Sequence, residues 1–81
     1  MTSGIRHLMA AVLADNARIL LRCENPRILV EELRWMLSEE DREVFAFRRL
    51  CAVLMLDPDR IRRRLLRQRR FPRWMLADHA D

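Results

Sequence analysis

Residues 57–73 read DPDRIRRRLLRQRRFPR, and they hold the densest chemistry in the chain. Between Arg60 and Arg73 there are eight arginines and no acid, a net charge of +8. Residues 1–59 carry a net −2 and residues 74–81 another −2, so the formal +4 of the whole conceals one concentrated basic block. All 16 basic residues are arginine. A guanidinium stays protonated and presents a planar fork of donors that fits phosphate or a guanine edge. The chemistry this implies is recognition of nucleic acid or another polyanion rather than bond breaking. A solvated helix face is the plainer alternative, but such a face ordinarily mixes signs.

Other reactive residue types are scattered. His7 and His79 stand in no ligand spacing with Cys23 or Cys51, so no metal site is expected. Glu39, Glu40, Asp41 and Glu43 cluster in a polar stretch, which suits a solvated loop better than a general acid–base pair held in a pocket. There is no glycine-rich phosphate loop and no nucleophile motif, so neither an enzyme nor a cofactor is expected. Cys23 and Cys51 read as buried and inert, with a reduced cytosolic setting the simpler case; sequence alone leaves a disulfide open. Trp35, Phe71 and Trp74 fit core or interface contacts better than a base-stacking platform, because the chain has five aromatics and no tyrosine. No apolar run approaches ~18 residues and no signal-peptide pattern opens the chain. A cytoplasmic, nucleoid-associated protein without a membrane partner is the expectation.

The elements that must position the arginines are helical. One glycine, three prolines and an abundance of Leu, Ala, Met, Arg and Glu exclude hairpin chemistry and favour an all-α domain. Apolar spacing predicts a first helix over about Ser3–Cys23, with Ile5, Leu8, Met9, Val12, Ile19, Leu20 and Cys23 on one face and Asn16 interrupting it. Leu13 and Leu21 lie off that face. A second helix starts after Asn25 as N-cap with Pro26 at its first position, and buries Leu29, Leu33, Met36 and Leu37. The sequence SEEDRE then forms a loop. A third helix covers roughly Ala46–Met55, and a fourth runs from Pro58, capped by Asp57, to about Arg69, with Ile61 and Leu65 as its buried seam. Pro72 argues against continuation. The expected architecture is a single four-helix domain over residues 1–73 and a C-terminal tail over 74–81.

Residues 46–69 also have the spacing of a helix-turn-helix. Leu50, Leu54, Leu56 and Ile61 fall at the apolar positions such a unit needs, with small Cys51 where its helices touch. Phe47 to Leu66 resembles the twenty-residue helix-turn-helix unit of bacterial and phage DNA-binding proteins. The stretch from about Ile28 to Arg67, half the chain, is similar to small bacterial and phage proteins in which a VCEALGLDP-type segment precedes an arginine-rich helix; here it reads LCAVLMLDP. Where that family places glycine in the turn, this chain has Met55, and a left-handed non-glycine residue costs roughly 1 kcal/mol. Either the turn is wider or packing absorbs the strain.

The resemblance implies that the fourth helix enters the major groove of double-stranded DNA in a small transcription regulator. Its outward positions near the start, Asp59, Arg60, Arg62 and Arg63, are then the base-reading candidates, with Asp59 better suited to favouring the helix N-terminus. Arg48, Arg49, Arg64, Arg67, Arg69, Arg70 and Arg73 are the phosphate candidates. A homodimer through the first helix and the tail residues Phe71, Trp74, Met75 and Leu76 is expected, because one recognition helix covers only a half-site. A protein partner such as the transcription machinery fits the same picture. Two other functions keep the residues in view: a protein–protein adaptor using the apolar faces of helices 1 and 2, and an RNA binder.

Overall fold

The computed structural model describes residues 2–77, with side chains from Gly4 to Leu76. Five helices follow in order: α1 (Thr2–Arg22), α2 (Pro26–Leu37), α3 (Phe47–Val53), α4 (Pro58–Gln68) and α5 (Arg73–Ala77), with no strand among the described residues. The all-α expectation holds, with one helix more than the four predicted.

Local chemistry sets the boundaries. Asn25 has extended backbone and its side chain accepts from Arg27 N at 3.0 Å, and Pro26 fills the first helical position, where no amide hydrogen is needed. Asp57 caps α4 in the same way, accepting from Asp59 N at 3.0 Å and Arg60 N at 3.4 Å. Both caps stand where the sequence places them. Between α2 and α3 the acidic stretch is a braced loop. Ser38 Oγ accepts from Glu40 N at 3.1 Å, and Glu40 Oε1 accepts from Arg42 N at 2.7 Å and Glu43 N at 3.2 Å.

α1 packs on α2, α3 and α4 and is the spine of the fold; α2 also meets α3 and α5, and α3 meets α4. The core joins Leu20 of α1, Leu29, Leu33 and Met36 of α2, Phe47 and Cys51 of α3, Leu65 of α4, and Phe71 and Met75 from the chain end. Trp35 closes one side: its ring meets Phe47 edge-on at 5.5 Å, and its indole N–H donates to Phe45 O at 2.8 Å. Asn16 is 2% exposed, and its amide donates to Glu32 Oε1 at 2.8 Å and to Glu32 O at 3.3 Å. Its Oδ1 has no hydrogen-bond partner among the described residues, so the expectation of a satisfied polar residue is met for the donor alone.

Three expectations are corrected by packing. α4 ends at Gln68, before Pro72, and the chain then turns back, buries Phe71 and Met75, and forms α5 (Arg73–Ala77) over residues largely assigned to a tail. Leu13 and Leu21, expected off the packed face, both lie against the core. Ile5 and Leu8, expected inside, are exposed, because α1 is 21 residues long and its first turns run past the elements that cover the rest.

Candidate nucleic-acid interface

The basic block is divided by the helical period of α4. Its inner stripe is Arg62 and Leu65, with Ile61 and Leu66 half-buried at the edges, and Arg69, the extended C-cap residue just past the helix, turns to the same side. The opposite face carries Arg60, Arg63, Arg64 and Arg67, all exposed. These four arginines and Gln68 line one shallow concavity along the outer side of the helix. No acid pairs with any of the four among the described residues; the recorded ion pairs engage Arg18, Arg34, Arg48 and Arg62. Four guanidinium groups without an acid partner among the described residues, at ~1.5 Å rise per residue, make a strip of positive potential two turns long.

Arg62, expected to face outward as a base reader, faces inward. Only 8% of it is exposed. Nε donates to Met36 O and Nη2 to Ser38 O, both at 2.8 Å, while Nη1 reaches Glu39 Oε1 at 3.0 Å and Asp59 Oδ1 at 3.4 Å. Its Cζ lies 5.0 Å from the centre of the Phe47 ring. The reason is the C-terminus of α2, where the carbonyls have lost their intrahelical partners and need donors. An arginine fork satisfies two of them at once while its stem fills the apolar gap beside Leu65.

Arg69 does the same at the other end of α4. Its Nη1 donates to Leu20 O at 2.9 Å and Cys23 O at 2.6 Å, the terminal carbonyls of α1, and its Cζ sits 5.6 Å from the Phe71 ring centre. It is therefore turned away from the phosphate role expected of it. Asp59 stands in the first turn of α4 and faces Arg62, which agrees with a helix-terminus role.

The turn before α4 is well defined. Met55 has φ 61°, the left-handed value that glycine serves in related turns. Leu56 N donates to Cys51 O at 2.8 Å and Met55 N to Ala52 O at 3.2 Å, the paired bonds of a Schellman C-cap on α3. The turn is thus no wider than one with glycine; the cost at Met55 is accepted for two satisfied carbonyls. Its side chain is 86% exposed, so nothing packs over it.

Arg42, Arg48 and Arg49 lie together in a second, smaller area. Arg48 and Arg49 of α3 line a concavity with Asp41, Arg42 and Ala52. Arg48 pairs with Glu39 at 2.8 Å, whereas Arg49 and Arg42 are exposed. Arg70 and Arg73 are exposed beyond the end of α4. Sequence reasoning missed Gln68 and Arg42. Gln68 was recoverable, since it stands four residues after Arg64; Arg42 was hidden inside an acidic stretch.

Of the two cysteines expected to be buried, Cys51 is buried and Cys23 is half-buried. Both are free thiols. Burial pushes the Cys51 thiol above its ordinary pKa, outweighing the opposing pull of Arg62 and Arg48, so it stays protonated. No cluster of metal-ligating residues occurs among the described residues, and no described helix is long and apolar enough to cross a membrane. His79 lies outside the described residues. No family model, curated protein or solved structure matches the chain. A role must therefore be argued from these side chains themselves.

Proposed function

We propose that the protein binds double-stranded DNA through the outer face of α4, as a small transcription regulator. The observation that carries this is the exposed, unpaired set Arg60, Arg63, Arg64 and Arg67 on one side of a short, capped helix. α3, the Met55 turn and α4 supply the parts of a helix-turn-helix, and an α-helix of this kind fits the major groove of B-form DNA. Arg60 and Arg63, nearest the N-terminus of α4, are the base readers; Arg64, Arg67, Arg70, Arg73 and Arg49 meet phosphates. Arg48 joins them only on release from Glu39.

Two features favour duplex DNA over RNA or single strands. The A-form major groove is too narrow for a helix to read. Trp35, Phe47 and Phe71 are engaged in packing, and the two exposed aromatics, Phe45 before α3 and Trp74 in α5, stand on separate elements and make no row on which successive bases could stack. α4 has 11 residues and spans about 16 Å, a half-site. The proposal therefore includes two copies on adjacent half-sites, with Ile5 and Leu8 as the exposed apolar residues of α1 in place of Leu13 and Leu21.

Fluorescence titration against duplex DNA, single strands and duplex RNA at ~50 mM salt tests the proposal. Duplex DNA is expected to bind tightest. Equal binding to all three, or none to duplex DNA, overturns it.

A further inference from the structure

Arg62 and Arg69 belong to the basic block by sequence, yet neither is available to a ligand in the way its neighbours are. We infer that they are positioning residues: by tying the second turn of α4 and its C-cap to carbonyls at the C-terminal ends of α2 and α1, they fix the orientation in which Arg60, Arg63, Arg64 and Arg67 are presented. They thereby govern duplex affinity without touching the duplex. The inference rests on the duplex-binding reading of α4.

The apolar contribution of α4 to the core is small. Leu65 is its one buried apolar side chain, flanked by half-buried Ile61 and Leu66. A helix held by so narrow an apolar seam could rock about it. The arginines oppose this because they act at two levels, the second turn of α4 and its C-cap, and in different directions. Arg62 reaches Met36 O and Ser38 O on α2, and Arg69 reaches Leu20 O and Cys23 O on α1. Stacking on Phe47 and Phe71 fixes the plane of each fork. Lysine cannot replace this geometry at Arg62, since its single ammonium on a flexible stem cannot span two carbonyls and a carboxylate as the fork does; at Arg69, where Nη1 alone serves both carbonyls, lysine loses the planar group that stacks on Phe71 and fixes that nitrogen. Loosening α4 transfers its ordering cost to the binding step, where it weakens affinity while leaving the contacts themselves unchanged.

The test uses Arg62→Lys and Arg69→Lys in the full chain, which preserve charge, and Arg62→Gln, which removes it. Duplex affinity, its salt dependence and amide hydrogen exchange are measured far below the melting midpoint, with folding checked by circular dichroism. Positioning predicts that each lysine variant loses roughly tenfold in affinity with an unchanged salt slope. It also predicts faster exchange in residues 61–68 relative to 30–36. Arg62→Gln should share that unchanged slope. A slope shallower by about 0.9 in Arg62→Gln means that Arg62 itself meets a phosphate, and overturns the inference. So does wild-type affinity in both lysine variants, or exchange unchanged in α4. If wild type binds no duplex while the lysine variants still exchange faster in α4, the failure lies with the DNA reading and the tie between helices stands. Should Arg62→Lys not fold, Arg69→Lys, whose residue is only part-buried, supplies the same comparison.

Discussion

Two sets of arginines lie along α4 and its C-cap, and they differ in almost every physical respect. Arg62 and Arg69 point inward, make hydrogen bonds to backbone carbonyls and lie over aromatic rings. Arg60, Arg63, Arg64 and Arg67 point outward and have no acid partner among the described residues. The first set holds the helix at some cost in desolvation, offset by charge-assisted bonds. The second set repels itself, since like charges three and four apart on a helix cost about 0.2–0.5 kcal/mol per pair. An exposed row of this kind is a small burden on stability, which salt screens and which an anionic partner would relieve. Residue type alone therefore does not assign a function to an arginine in this block; its angle on the helix does.

The sharpest way to break this comparison is to mutate one residue from each set. Arg62→Met should lose about 2–4 kcal/mol of stability, because it orphans the carbonyls of Met36 and Ser38. Arg63→Met should stay within ~0.5 kcal/mol of wild type. Urea unfolding with Trp35 as probe measures both, and similar losses would erase the distinction. A smaller effect is expected at the turn. Met55→Gly removes the left-handed penalty and should stabilise by roughly 1 kcal/mol, offset in part by the greater freedom of glycine when unfolded. A destabilised variant would mean that Met55 makes a contact worth more than its strain. Smallest is Glu39→Gln. Glu39 bridges Arg48 and Arg62, but its side chain is 72% exposed, so solvent screens both pairs and the loss should be under ~0.5 kcal/mol. A larger loss would transfer part of the anchoring of Arg62 from the carbonyls to the carboxylate.

What the sequence disclosed follows from which signals are local. Asn25-Pro26 and Asp57-Pro58 mark helix starts because the cap and the missing amide act within three residues. The buried faces of α2 and α3 were legible because Leu, Met and Phe recur at the helical period. α4 was harder. Its inner side carries two arginines, one of them at the C-cap, and a hydrophobic pattern cannot register an arginine as an inward residue, so Ile61 was given a place that Arg62 shares. The acceptors that draw Arg62 and Arg69 inward are carbonyls of distant helices, fixed only once α1 and α2 have packed. The return of the chain after Pro72 was likewise invisible, since burial of Phe71 and Met75 depends on a groove made by other elements. Exposure of Ile5 and Leu8 reflects the same limit: the period shows which residues share a face, not whether anything covers it.

The most direct test of the division is the salt dependence of duplex binding in wild type and in a variant with Arg60, Arg63, Arg64 and Arg67 all changed to Gln. Each phosphate contact releases counterions and contributes about −0.9 to the slope of log K against log salt. Wild type should give a slope of roughly −4 to −6, and the variant a slope shallower by about 2, because Arg64 and Arg67 are its lost phosphate contacts while Arg60 and Arg63 read bases; its fold stays intact because Arg62 and Arg69 remain. A wild-type slope near zero, or equal slopes in the two proteins, would contradict the assignment of the outer face of α4 to DNA.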